Sequence, residues 1–138
     1  MFTSLDISAS GLYAQRIRMD TTANNVANVN TTRDENGNPK PYLRKDVIFK
    51  VGGVGKKGEL GVEVPEVVED PKAVHYVYDP THPDRVMDGD MKNYVLMPNI
   101  NGVEEMVNLI AATRGYEANV TVMDASKAMM NTALRIIA

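Results

Sequence analysis

The chain is 138 residues long, 43% apolar and 24% charged, with a formal net charge of −3 and no cysteine. That length supports one domain with a real core, and the acidic balance without a basic stripe argues against a nucleic-acid surface. Without cysteine there is no disulfide framework, thiol nucleophile or thiolate metal site.

Residues 1–30 hold one glycine, Gly11, and no proline. The start, MFTSLDISASGLYAQRIRMD, has no basic leader and no apolar run of seven, so no cleavable secretory signal is expected. No run of about 20 apolar residues suggests membrane insertion. Taken alone, these features predict a cytoplasmic protein unless a non-standard export route operates. Leu5, Leu12, Met19 and Val26 recur every seven residues, the step that keeps an apolar seam on one side of a helix. Only four charges fall here, Asp6, Arg16, Arg18 and Asp20. The remaining surface is largely small and weakly polar. Water-facing helices usually carry a strongly charged outer stripe, so burial against other subunits is expected.

The segment closes on TTANNVANVNTT, with four asparagines in seven residues: Asn24, Asn25, Asn28 and Asn30. Asparagine is a mediocre helix former because its short amide competes for backbone hydrogen bonds. Two readings account for the cluster. Asn24, Asn25 and Asn28, at i, i+3 and i, i+4 spacing, make a desolvated polar seam that sets register between helices. Alternatively the run stops the helix, with Asn30 in the left-handed conformation. On the first reading, Asn25→Leu and Asn28→Leu keep the fold and impair assembly.

Residues 31–101 contain all seven prolines and seven of the ten glycines, which predicts an inserted β-rich domain and loops. LRKDVIFKV (43–51), LGVEVPEVVED (60–70) and AVHYVYD (73–79) read as strands of a small antiparallel sheet, Pro65 making the second an edge or broken strand. The stretches 33–42 and 79–93 read as turn-rich loops. Residues 102–138 again lack proline and predict a second helix, capped by Asn101 with Glu104 at the N3 position. Leu109, Tyr116, Met123, Met130 and Ile137 are seven apart, with Val120 and Leu134 in a second row. Thr113, Lys127 and Arg16 interrupt a strict coiled coil, so a helical hairpin and a regular supercoil both remain open. The predicted fold class is α+β: long N- and C-terminal helices packed as an antiparallel coiled-coil-like pair, with a small antiparallel β insert.

No catalytic, cofactor or metal constellation emerges. Gly53, Gly55 and Gly58 match a dinucleotide-binding spacing, but the following ELGVEVPEVVE is strand-like and supplies no helix N-terminus for a pyrophosphate. DENGN resembles a calcium loop with its glycine fourth instead of sixth and without a closing Glu. Asp84, Asp88 and Asp90 read as a solvated loop. His75 reads as a strand residue and His82 as a turn residue.

ANNVANVNTT, PYLRKDVIF, VEDP, VYDPTHPD and YVLMPNINGVEEMVNLIAATRGYEANVTVMDASKAM occur in that order from about residue 5 to the C-terminus. This combination closely resembles the FlgC family of proximal rod proteins in the bacterial flagellum. The asparagine block alone is shared by flagellar rod and hook axial proteins generally. Gly102 and Gly115 depart from the residues usual in that family. The resemblance implies a structural subunit of the basal-body rod in the periplasm, exported by the flagellar type III apparatus without a cleavable signal. It implies no enzyme activity and no cofactor. Implied partners are further copies, related proximal rod proteins, membrane-ring or rod-adaptor proteins and distal rod proteins. Nucleic acid and direct membrane insertion are not implied.

The expected subunit-interface residues are Leu5, Leu12, Met19, Asn24, Asn25, Val26 and Asn28 from the first helix. The second contributes Leu109, Tyr116, Val120, Met123, Met130, Leu134 and Ile137. If the two ends pair within one chain, the apolar stripes are expected to form that hairpin and the asparagines to face other subunits. Isolated helices are marginal in water, so both ends are expected to be dynamic in a free subunit and protected in the rod. A coiled-coil interaction module of fixed oligomeric size is the alternative reading.

Overall fold

Both proline-free ends are helical in the structure, a computed structural model that describes residues 2–52 and 60–137. The glycine spacing at Gly53, Gly55 and Gly58 lies outside the described residues. Helix α1 spans Phe2–Ala27, strands β1 Lys45–Val51, β2 Val62–Glu69, β3 Val74–Tyr78 and β4 Tyr94–Pro98, and helix α2 Gly102–Ile137. Thus the chain is α+β, as the sequence predicts.

Asn28 ends α1. Its backbone N–H bonds the Asn24 carbonyl at 3.1 Å, and its side-chain amide donates to the same oxygen at 2.9 Å. The helix stop therefore does not need a left-handed Asn30. Among the described residues Asn93 is the one non-glycine with a positive φ, 67°. At the other end Asn101 Oδ1 accepts from the Val103 N–H at 3.0 Å, an N-cap that satisfies one orphan donor. Its 36 residues make α2 a rod of about 54 Å.

The helices run antiparallel, and four pairs fix the register. Ser4 Oγ lies 3.4 Å from Ser126 Oγ. Gly11 faces Asn119, Gly115 faces Gln15, and Asn25 bonds Glu105. Opposed residue numbers sum to about 130 throughout, so α2 beyond Met129 overhangs the start of α1. Buried between and beside the helices are Ser8, Ala14, Thr21, Thr22, Asn25, Glu105, Ala112 and Ser126. Small and polar residues thus form the seam. A Cβ added at Gly11 would come within 2.9 Å of Asn119 Nδ2, so glycine permits this close approach. The apolar sevens, Leu5, Leu12, Met19, Leu109, Tyr116, Met123 and Met130, are only half-buried.

Between the helices the strands form two separate two-stranded antiparallel ribbons, β1–β2 and β3–β4, where the sequence suggests one sheet. The register slips between Ile48 and Lys50, opposite Pro65, whose missing N–H cannot join a ladder. β4 was not foreseen: Tyr94–Pro98 pairs with Val74–Tyr78 and supplies Val95 and Pro98 to a small core with Ala73 and Ile100. Tyr78 and Tyr94 meet edge to face at 5.4 Å. Ribbon β1–β2 packs on α1, where Ser10 Oγ accepts the Val62 N–H at 3.1 Å. The second ribbon is tied on through loops, Asp84 Oδ2 accepting from Thr32 Oγ1 at 2.8 Å and Asp84 Oδ1 from Arg33 Nε at 2.7 Å.

Candidate assembly surface

The surface area is the first sign that this chain is shaped for company. It exposes 9676 Å², roughly a third more than the ~7,100 Å² expected of a compact monomer of 15.2 kDa. Among the described residues its buried apolar side chains are Ala14, Ala73, Val95, Pro98, Ile100 and Ala112, three of them alanine.

Two rows of exposed apolar residues run along α2. Val103, Met106, Val107 and Ile110 follow i, i+3, i+4, i+7 spacing and lie on one outward face, Val103 being 71% exposed. Farther along, Val122, Met129 and Ile136 recur every seven residues, Ile136 being 81% exposed. Neither row was named among the expected interface residues. The helical spacing that marks an apolar face is present in the sequence, one position away from the row of apolar sevens.

Of the expected residues, Val26, Val120 and Leu134 are exposed. Leu5, Leu12, Met19, Leu109, Tyr116, Met123 and Met130 flank the hairpin half-buried, Asn24 is exposed and Asn28 half-buried. The side chain of Ile137 lies outside the described residues.

Asn25 belongs to the interior. It is 1% exposed, and its amide makes four bonds within its own chain. Nδ2 donates to the Lys45 carbonyl at 2.8 Å and to Glu105 Oε2 at 3.0 Å. Oδ1 accepts from Tyr42 Oη at 3.1 Å and the Lys45 N–H at 3.0 Å. One side chain thereby ties α1, the strand entrance and α2, filling every donor and acceptor that an amide offers. The expectation that Asn25→Leu leaves the fold intact is revised by this placement.

Glu105, 2% exposed, is the second member of the cluster. Its Oε1 receives Arg44 Nε and Nη2, both at 2.8 Å, a charge-assisted contact of the strong kind. Arg44 also pairs with Asp46. Burial alone lowers the Arg44 pKa, but its bonds to Glu105 and the charges of Glu105 and Asp46 outweigh this and raise it. Burial pushes the Tyr42 hydroxyl up as well, with Lys45 opposing and Glu69 and Glu105 adding to the rise. The hydroxyl therefore stays protonated as Asn25's donor. The capping pattern of the sequence points to Glu104, whereas the next residue, Glu105, carries the packing.

The residues that suggested metal or acid–base chemistry do structural work in loops. Asp34 Oδ1 accepts the N–H groups of Asn36 and Asn38, and these bonds, Asn38's first, hold its carboxyl below the usual range. Asp79 closes a turn through Thr81. His82 Nδ1 accepts the Asp84 N–H at 3.1 Å, and His75 pairs with Met97 in the second ribbon. No described helix is long and apolar enough to cross a membrane.

The chain is also similar to known proteins. Residues 5–33 match the family model described as flagella basal body rod protein, and residues 91–136 match that of the flagellar basal body rod FlgEFG protein C-terminal region. The chain is 42% identical to the flagellar basal-body rod protein FlgC of Borreliella burgdorferi, over 99% of this chain and 97% of that one. It is 43% identical to that of Bacillus subtilis, over 98% and 97%. For Aquifex aeolicus the figure is 41%, over 92% and 90%.

Proposed function

The chain belongs to the FlgC family of flagellar basal-body rod proteins and is a structural subunit of the rod; from that premise we propose how its two helices build the assembly. The polar cluster around Asn25 and Glu105 holds the helical hairpin and the first ribbon as one unit. The unit then adds to the rod by burying the outward faces of α2 and the flanking stripes against further copies and other rod proteins. Residues 1–30 and 102–138 form the axial part, with 31–101 outside it. Torque passes along this helical wall, which encloses the export channel. Membrane-ring or adaptor proteins stand at one end of the rod and distal rod proteins at the other. The subunit reaches the periplasm through the flagellar type III apparatus and acts without enzyme chemistry or a cofactor.

One observation carries this reading: Val103, Met106, Val107 and Ile110 form a continuous exposed apolar face. Such faces mark protein contacts, and covering each side chain is worth about 1–2 kcal/mol. A charged pair, Val107→Asp with Ile110→Asp, is expected to leave the free subunit's helicity and melting temperature within experimental scatter. The same pair abolishes incorporation into isolated basal bodies and hence motility. Normal incorporation would refute the role of this face. A discrete soluble oligomer formed by the unaltered chain in place of rods would favour the interaction-module reading.

A further inference from the structure

Asparagine is followed directly by glycine at two places, Asn36–Gly37 and Asn101–Gly102, and the structure accounts for only one of these glycines. Gly37 has φ +80°, in the left-handed region that favours glycine, and its N–H donates to the Asp34 carbonyl at 3.0 Å in a closed turn. Gly102 opens α2 with no such reason. Its backbone is not left-handed, and a Cβ added there meets nothing within 4 Å. Alanine would fit at this point and would favour the helix. What the glycine leaves is a backbone nitrogen with no side chain shielding it, next to an exposed asparagine.

The bonding around that nitrogen suits a reaction. The Gly102 N–H is one of the orphan donors of a helix start and has no partner among the described residues. Asn101 Oδ1 accepts the Val103 N–H at 3.0 Å, so the side-chain amide is held against the first turn of α2. That donor points at the oxygen on which negative charge would develop if a nucleophile attacked Asn101 Cγ, the arrangement that lowers the barrier to acyl transfer. At the other junction the nitrogen is tied to Asp34, and Asn36 contributes its backbone N–H to the same turn at 3.0 Å.

We propose that Asn101–Gly102 is a self-modification site at which the Asn101 side chain is deamidated spontaneously in water. The Gly102 nitrogen gives its proton to hydroxide and attacks Asn101 Cγ. The Cγ–Nδ2 bond breaks, ammonia leaves with a proton from water, and a cyclic imide remains. Water then opens the ring. Cleavage at the Asn101 backbone carbonyl leaves an isoaspartyl link, and cleavage at Cγ leaves aspartate; nothing is oxidised or reduced. Aspartate keeps the cap. The isoaspartyl link lengthens the main chain by one carbon and displaces the capping oxygen from Val103, at the turn that leads into the exposed Val103, Met106, Val107 and Ile110 face.

The test incubates the full chain at mildly alkaline pH and follows the peptides containing Asn101 and Asn36 by mass spectrometry. A protein isoaspartyl methyltransferase with a labelled methyl donor counts the isoaspartyl product. Asn101 is expected to convert at least about threefold faster than Asn36. Gly102→Ala, whose added methyl has open space, is expected to slow Asn101 about tenfold by hindering the attack while the rate at Asn36 and the melting temperature hold. In denaturant the two rates in the unaltered chain are expected to converge. A folded chain in which Asn36 converts faster than Asn101 would overturn the proposal, because the cap would then guard the amide. A preference for Asn101 that persists undiminished in denaturant would also overturn it, since flanking residues alone would account for the rate.

Discussion

The two ends of the helical hairpin are built on opposite principles. Near the inserted ribbons, Asn25, Glu105, Arg44, Tyr42 and the Lys45 backbone interlock through short directional bonds inside a buried site. At the far end one long serine pair, Ser4 with Ser126 at 3.4 Å, spans the helices. Beyond it α2 overhangs with Leu134 and Ile136 in the open. The interior of the polar end is complete within one chain, since every member of the Asn25 cluster has its partner there, while Val103, Met106, Val107 and Ile110 stand open on its outward face. The apolar end is incomplete, since only a neighbour can cover it. Hydrogen bonds therefore define the shape of the subunit, and uncovered hydrophobic surface drives its addition to others.

Mutations that exploit this contrast should separate folding from assembly. The largest effect is expected from Asn25→Leu, which strands the Lys45 backbone groups, the Tyr42 hydroxyl and Glu105 and costs about 3 kcal/mol. Ile136→Ser on the overhang should cost under about 0.5 kcal/mol, as surface changes usually do. Urea denaturation of the free subunit measures both, and equal losses would erase the distinction between the two ends. Glu105→Gln keeps the shape and removes the charge that Arg44 meets. A loss of about 1–2 kcal/mol is expected, partly restored in the double variant with Arg44→Met, because replacing both partners spares an unpaired buried charge.

Acid should loosen the joint that ties the first loop to Asp84. Asp84 is held below the usual carboxylate range by its bonds to Arg33 and Thr32. The unfolded Asp84 therefore takes up its proton at a higher pH than the folded one, and stability falls as the proton-rich unfolded state is favoured. The contribution is complete above about pH 4 and lost as pH drops through the lowered folded value. Amide exchange of Lys40 and Tyr42, whose N–H groups bond the carbonyls of Thr32 and Thr31, should quicken in that window. No change down to about pH 2 would show that the Arg33–Asp84 clip does not hold the loop.

Much of this architecture was legible beforehand, and the misses share a cause. The proline-free ends, the polar loops and three of the strands followed from composition and turn chemistry. The seam did not, because counting apolar sevens selected Leu5, Leu12 and Met19. The helices instead meet along a row one residue away, where Ser4, Gly11, Arg18 and Asn25 also recur every seven, opposite Glu105, Ala112, Asn119 and Ser126. Small residues let two backbones approach, and buried polar ones specify the register, so a hairpin built for close contact hides its seam from a search for hydrophobicity. Glu105 looked like one of two helix-start acids, and only the arrival of Asn25 and Arg44 from distant positions gives it a partner. Strand β4 lies inside the motif that begins YVLMPNIN, and short edge strands carry little signal of their own.

Four exposed methionines offer the most direct test of the central claim that α2's outward face is covered on assembly. Met106 and Met129 lie on α2, while Met87 and Met91 lie on the loop between β3 and β4, and all four are exposed in the single chain. Peroxide converts an accessible thioether to its sulfoxide, so oxidation rates report coverage residue by residue. In assembled rods the account predicts that Met106 and Met129 slow at least tenfold relative to the free subunit while Met87 and Met91 keep their rates. Unchanged rates at Met106 and Met129 would contradict it.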